Sequence, residues 1–477
     1  MELKNFKDKK ITVMGIGLHG GGVGVIKFLA AQGAKILATD LRKKEELQSS
    51  LDALKDWKDI EYVLGEHRLK DFKDTDLVIK NPGVPENSKY LTAAKEKNIS
   101  IESDIGIFLE LCPAPIIGVT GTKGKSTTAA LLTHILGRHY PKVILAGNIR
   151  QSVLEKLSEI NKDTLVVLEL SSWQLADARS HKKSPYVAVM TNIMPDHQNR
   201  YANFDDYVAD KKLIFKFQKE KDYLFLNFSD PILRDCAKET TSRIYFYSLD
   251  GDALLKEELP KLNQKARLGA YLRGQKIYYG ASQNEICEIG DIRLIGQHNL
   301  TNVLAAISVA DLYNVPPEKT KLALRDFQGL DGRFQLIDKI KGITFINDTT
   351  ATTPDATIAG LKALTVEDKK IILISGGADK ELNFDAFGEI VGQKCKLAIL
   401  LPGTATEKIK TAIRDKTSIK NAYQMKEAVK LAVQAAAKND FILLSPGCAS
   451  FGLFRHEFER GEAFNQAVAA LKAKPKK

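Results

Sequence analysis

The segment GTKGKSTT at residues 121–128 restricts the fold more than any other stretch of the chain. It follows the apolar run Ile116 to Thr120 and opens a stretch in which Ala129, Leu132, Ile135 and Leu136 share one helical face. A strand, a glycine turn and a helix are predicted in that order. Backbone N–H groups in such a turn surround phosphate oxygens, and the helix N-terminus adds partial positive charge. Lys125 would reach the β- and γ-phosphates, and the Ser126 hydroxyl would meet Mg2+. The GxxGKS spacing is two residues shorter between its glycines than the usual phosphate loop, so a turn that merely caps a helix is the competing reading. The order of strand, turn, lysine, hydroxyl and helix favours phosphate.

A chain of 477 residues exceeds the size at which single cores split, and three domains are expected: 1–112, 113–330 and 331–477. Hydrophobic content of 44% with 27% charged residues is ordinary for a globular protein. The net charge of +11 suits anionic ligands, and no nucleic-acid module accompanies it, so no nucleic-acid partner is expected. Five cysteines without a CxxC pair fit a reducing compartment. Lacking an apolar leader or a stretch long enough to cross a bilayer, the chain is expected to be cytoplasmic, without membrane insertion.

In the first segment, Ile11 to Met14 reads as a buried strand, followed by GIGLHG at 15–20, a helix-like stretch from Val23 to Ala31, and a strand ending at Asp40. This is the Rossmann fingerprint, and by itself it would predict NAD. The competing reading is a structural α/β unit whose glycines only permit tight packing; Asp40 and Arg42 at the strand end weigh against it.

In the central segment, Thr164 to Leu168 is a buried strand that runs into Glu169, at the carboxyl end where open α/β sheets place ligands. Glu169 can bind Mg2+ beside Ser126, or act as a helix N-terminal acid. A third strand, Tyr186 to Met190, leads to His197 and a helix carrying Lys211. A lone histidine is usually structural, and a lysine beside Lys212 usually faces solvent. Together Ser126, Glu169, His197 and Lys211 still bring hydroxyl, carboxylate, imidazole and amine to successive elements of one sheet. Asn299 and Asn302 in HNLTN could read a base edge or cap a helix. The last segment resumes α/β alternation, placing the loops NDTTATT (347–353), SGGADK (375–380) and SPGCAS (445–450) at strand carboxyl ends.

GTKGKST, ELSSWQL, MPDH, the YxxxK pattern of Tyr207 and Lys211, HNLTN, GGADK and SPGCAS, in this order along nearly the whole chain, resemble the Mur ligases, ATP-dependent amide-forming enzymes of peptidoglycan precursor synthesis. Within that family the N-terminal glycine fingerprint and GTKGKST point to the glutamate-adding branch. The resemblance implies three α/β domains: a Rossmann-like UDP-binding domain, a central phosphate-loop ATPase domain and a C-terminal Rossmann-like domain. It implies that the first domain takes the UDP portion of UDP-N-acetylmuramoyl-L-alanine rather than NAD, through Gly17, Leu18, Asp40 and Arg42, with Asn148 and Ser171 contributing from the centre. ATP would be held by Gly121, Thr122, Lys123, Gly124, Lys125, Ser126 and Thr127, with Asn299, Asn302, Arg333 and Asp348. Lys125, Glu169, His197 and Lys211 would be catalytic. Ser126 and Glu169 would hold one Mg2+; His197 and Lys211, carbamylated by CO2, a second. Glutamate, D isomer preferred, would be held by Thr352, Lys380, Ser450 and Phe458 in a monomeric protein.

Three positions depart from the family pattern. Thr350 stands where a lysine is expected near the reacting groups, Phe458 follows Ser450 by one residue more than usual, and Arg150 replaces a glycine. The first two touch the amino-acid pocket and leave an L-glutamate-adding variant as the alternative. A non-catalytic sugar-nucleotide-binding protein would have shed Lys125, Glu169, His197 or Lys211, and an NAD oxidoreductase leaves GTKGKST unexplained.

Overall fold

The computed structural model describes residues 6–18, 20–147, 152–195, 201, 203–257, 259–364 and 370–472. His197 and Asn148, both expected at the site, and Arg150 lie outside them. The chain forms two compact units, one of residues 1–289 with 301–323 and one of 290–300 with 324–477.

The first unit holds two sheets. Strands β1 (Lys10–Met14), β2 (Lys35–Asp40), β3 (Ile60–Leu64), β4 (Leu77–Lys80) and β5 (Ser100–Glu102) form a parallel sheet of order β3-β2-β1-β4-β5. The strand order reverses at β1, so the glycine loop after it opens at the switch point, where α/β sheets leave a crevice. The second sheet runs through β6 (Ile116–Thr120), β7 (Val143–Gly147), β8 (Leu165–Glu169), β9 (Val187–Met190), β10 (Tyr223–Asn227), β11 (Arg243–Ser248), β12 (Ala266–Arg273), β13 (Lys276–Tyr279) and β14 (Asn284–Glu288). Its order is β14-β13-β12-β11-β10-β9-β6-β8-β7, antiparallel only at the β12–β13 and β13–β14 pairs. Strands β6 and β8 are buried at every residue, as parallel strands covered on both faces must be. The phosphate-loop segment leaves β6, the switch strand between β8 and β9.

The two sheets are joined by buried charge. Lys80 at the end of β4 donates to Asp177 of the helix Ser172–Asp177. His181 lies between Glu102 (2.8 Å) and Glu110 (3.2 Å), and its hydrogen bond to Glu102 leads in raising its pKa above the usual imidazole value.

The second unit is built on β15 (Gln335–Ile340), β16 (Ile343–Asn347), β17 (Ile371–Ser375), β18 (Cys395–Leu400), β19 (Ser418–Asn421) and β20 (Phe441–Leu444), in the order β15-β16-β20-β17-β18-β19, with only β15 antiparallel to its neighbour. The three loops singled out in the sequence follow β16, β20 and β17, which are adjacent, so one edge of the sheet gathers them. Among the described residues no helix is long and apolar enough to cross a membrane, and no disulfide joins the five cysteines.

Candidate active site

The turn after β6 is held by the segment after β9. Thr122 N donates to Asn192 O (2.8 Å) and Lys123 N to Asn192 Oδ1 (2.9 Å); Asn192 Nδ2 and Thr191 Oγ1 return hydrogen bonds to Lys123 O at 3.0 and 2.6 Å. The Thr122 hydroxyl lies 2.9 Å from Tyr207 Oη. Two N–H groups expected to meet phosphate are thus spent on shaping the loop. The helix Lys125–Gly137 follows directly, and its N-cap Gly124 brings no side chain to the N–H groups of the first turn.

Ser126 is the second residue of that helix, and Glu169 ends the neighbouring strand. Glu169 pairs in register with Val119, and Leu170 N donates to Val119 O at 2.9 Å, so the carboxylate stands at the mouth of the same turn, 1% exposed. It closes β8 rather than opening a helix; the helix that follows starts at Ser172 and is capped by Ser171, whose hydroxyl accepts from Gln174 N (3.2 Å). Lys211 is 2% exposed, its Nζ 2.7 Å from Gly121 O and 4.7 Å from the centre of the Tyr207 ring. Lys125 Nζ donates to the same Gly121 carbonyl (2.9 Å) and to Thr122 O (3.0 Å). Lys212, by contrast, pairs with Glu239 at the surface.

A hydroxyl and a carboxylate are the hard oxygen donors Mg2+ takes. Among the described residues no group of three His, Cys, Asp or Glu side chains clusters as a metal cage.

In the first sheet Asp40, 3% exposed, accepts from Ile16 N and Gly17 N (both 3.0 Å) through Oδ2 and from Arg42 N (3.0 Å) through Oδ1. It therefore shapes the glycine loop with the carboxylate that a dinucleotide fold would turn to a ribose. Leu18 is 45% exposed and the Arg42 side chain 47% exposed, both open to a ligand.

In the second unit Asp348 lies buried after β16. Its carboxylate accepts from Ser445 Oγ (2.8 Å) and Phe334 N (3.1 Å), and burial pushes its pKa up to about 7 despite those donors. Lys380 donates to Thr352 Oγ1 (3.2 Å), Ser450 is 5% exposed and Phe458 half-buried. Asn299 donates to Ile295 O (2.8 Å) from inside the helix Gln297–Leu312. In the first unit a Cβ on Gly124 would meet Asn302 Oδ1 at 2.2 Å. Neither asparagine is the helix N-cap.

The family models for the Mur ligase MurD-like N-terminal domain, the Mur ligase middle domain and the Mur ligase glutamate ligase domain match residues 9–103, 119–310 and 332–448. A UDP-N-acetylmuramoylalanine–D-glutamate ligase of Roseiflexus sp. (strain RS-1) is 41% identical over 473 residues, covering 97% of this chain and 99% of that protein. The chain belongs to the Mur ligase family.

Enzymes of the same name from Acetivibrio thermocellus (36% identical, 98% of both chains) and Borreliella afzelii (35% identical, 99% of this chain and 100% of that one) are similar throughout. Two solved structures from Thermotoga maritima share the fold of this Mur ligase. UDP-N-acetylmuramate-alanine ligase has a TM-score of 0.57 at 19% identity, covering 97% of this chain and 100% of that one. The MurF ligase in complex with ADP has 0.55 at 17%, covering 98% and 97%. The architecture is the three-domain Mur ligase arrangement, and the family's chemistry is ATP-dependent, ADP-forming amide ligation.

Two residues of this Mur ligase escaped the sequence reading. Asn192, in TNIMPDH, fixes the phosphate loop from the next strand end, and only the β6–β9 pairing reveals it. Arg460, 1% exposed, donates to the loops after β16 and β20. It sits on a helix face with Phe464, Ala467 and Val468, a charged residue in an apolar stripe, which was a legible signal.

Asp348 carries a pH prediction. Its folded pKa lies above the ordinary carboxylate value, so the folded state holds the proton longer than the unfolded chain. Stability associated with the neutral form is fully present below the ordinary carboxylate pKa and is lost progressively as pH rises from about 4 through about 7. Asp348→Asn is expected to raise the melting temperature clearly more at about pH 8 than at about pH 5, where only part of the loss has set in. Equal shifts at both values would remove ionisation as the cause.

Proposed function

We propose that the chain joins glutamate, as the D isomer, to UDP-N-acetylmuramoyl-L-alanine in the cytoplasm, an ATP-consuming step of peptidoglycan precursor synthesis. What carries the reading is near full-length kinship with ligases of that name. The loops after β1 and β6, each at the switch point of its sheet, support it.

A carboxylate does not condense with an amine at neutral pH, because its oxygen leaves poorly. Transfer of the γ-phosphoryl group of ATP to the substrate carboxylate gives an acyl phosphate and ADP; the glutamate nitrogen then attacks the acyl carbon, loses its proton and expels phosphate. The first-turn N–H groups after Gly124 orient the phosphates. Lys125, now turned onto its own loop carbonyls, swings its ammonium to the transferred group. Ser126 and Glu169 would hold Mg2+, which when bound neutralises charge on the phosphates. In the first domain Leu18 and Arg42 meet the uridine portion, and Asp40 acts on it through the loop it shapes.

Lys211 as a carbamate belongs to this proposal. Two ammonium groups on the single carbonyl of Gly121 repel each other in a buried place. Addition of CO2 to the neutral Lys211 amine, with loss of a proton, turns that repulsion into an attraction to Lys125 and makes Lys211 an oxygen donor. His197 is proposed as its companion.

The test is isotopic. Substrate labelled with heavy oxygen in its carboxylate should pass label to inorganic phosphate, and appearance of AMP with pyrophosphate would exclude the acyl phosphate route. In the same assay kcat/KM is expected to be higher for D- than for L-glutamate. The reverse ranking would move the chain to the L-adding variant and leave ligation intact.

A further inference from the structure

The three loops proposed to receive glutamate are tied to a side chain that has no role in the chemistry above. Arg460, on the helix Glu457–Ala470, is the largest fully buried side chain described. Its Nε donates to Thr349 Oγ1 (3.1 Å), Nη2 to Thr349 O (2.9 Å), and Nη1 to Cys448 O (3.3 Å) and Ala449 O (3.4 Å). The circuit continues into the third loop. Ala378 N donates to Ala449 O (2.9 Å) and Ala449 N to Ala378 O (3.1 Å). Lys380, at the end of that loop, donates to Thr352 Oγ1 (3.2 Å), back on the loop that carries Thr349. The packing leaves no slack: a Cβ on Gly461 would lie 2.6 Å from Thr349 Cγ2, and one on Gly377 2.2 Å from Ala449 O.

The acceptors of Arg460 are carbonyl and hydroxyl oxygens. Among the described residues no carboxylate lies within ion-pair distance of it, and Glu457 acts only at longer range. Burial draws the guanidinium pKa down to about 10, which still leaves it charged at neutral pH. A buried charge held by neutral oxygens is costly unless something anionic answers it. The neighbouring Thr350 offers only a neutral hydroxyl, which donates to Gly332 O at 3.0 Å.

We infer that Arg460 is a positioning and specificity residue for the incoming amino acid. It holds the three loops in one register and supplies, from behind them, a fixed positive charge, so that the pocket favours a dicarboxylic amino acid. The inference rests on the glutamate-ligase reading.

The experiment measures KM for glutamate, ATP and the UDP-linked substrate separately in the full-length chain. Arg460→Met is expected to raise KM for glutamate by at least about tenfold, with the other two KM values within about twofold of wild type. Adding Thr350→Lys to Arg460→Met should recover most of that loss, which restoring packing alone could not do. An unmoved glutamate KM, an equal rise in all three values, or no recovery with Thr350→Lys would overturn the assignment. Should Arg460→Met fail to fold, Arg460→Lys, which keeps the charge and loses the fork, carries the test through a selective rise of about fivefold in glutamate KM. Absence of glutamate turnover in the wild-type chain would sink the ligase reading and this inference together. Normal wild-type turnover with unaltered variants sinks only the role of Arg460.

Discussion

Lys211→Ala is expected to lower amide-forming turnover by roughly a hundred- to a thousandfold, while Lys212→Ala stays within about twofold. The two lysines are adjacent on one helix and differ only in phase. Lys211 shares a face with Tyr207, Ile214 and Phe215, which turns it inward to 2% exposure beside Gly121. Lys212 points out to Glu239. An inward lysine beside the ammonium of Lys125 is an arrangement that a carbamate would relieve. Small carboxylates such as acetate or formate should therefore partly restore Lys211→Ala by occupying the vacated space as anions, and wild-type activity should fall when CO2 is stripped from the buffer. Thermal unfolding controls for the cavity left by the deleted side chain. A well-folded Lys211→Ala with full activity would end the proposal, and a loss that no carboxylate repairs would end its carbamate form.

The same helix illustrates how much could be read in advance. From the sequence, a lysine beside Lys212 reads as solvent-facing, and the fold turns Lys211 inward instead; what it meets there could not be read, because Gly121 is distant in sequence. Strands β6, β8 and β17 were legible because parallel strands buried on both faces are nearly continuous apolar runs. The edge strands β15, with its half-buried QLIDKI, and β19, with SIKN, carry no such run, and β5 has only three residues. Function hides for a related reason. Asp40 looks like a ligand residue by position, yet both its oxygens serve backbone N–H groups, which only the folded loop discloses. Asn192 matters because β9 lies beside β6, a fact of topology that no local pattern encodes.

Gly124→Ala is expected to cut ATP-dependent turnover by roughly a hundredfold or more and to lower the melting temperature, although it adds only a methyl group. Gly124 sits at φ +84°, where a left-handed backbone costs an L-residue about 1–2 kcal/mol. The new Cβ would also stand 2.2 Å from Asn302 Oδ1, closer than any real contact, on an asparagine 3% exposed and held in the helix Gln297–Leu312. Neither side yields easily. The Gly124 carbonyl accepts from Thr128 N (2.9 Å) and so closes the first helical turn, while Lys123, just before it, is pinned by Thr191 and Asn192. A side-chain shift of Asn302 cannot relieve the strain at positive φ; that takes a rotation of the first turn of the helix, which moves the N–H groups proposed for phosphate. The control is Gly137→Ala in the last turn of the same helix, where nothing lies within 4 Å of a Cβ and φ is not positive. That change should stabilise the helix by about 0.5–1 kcal/mol and leave KM for ATP alone. If both alanines behaved alike, the close approach of Gly124 to Asn302 would not be what fixes the loop.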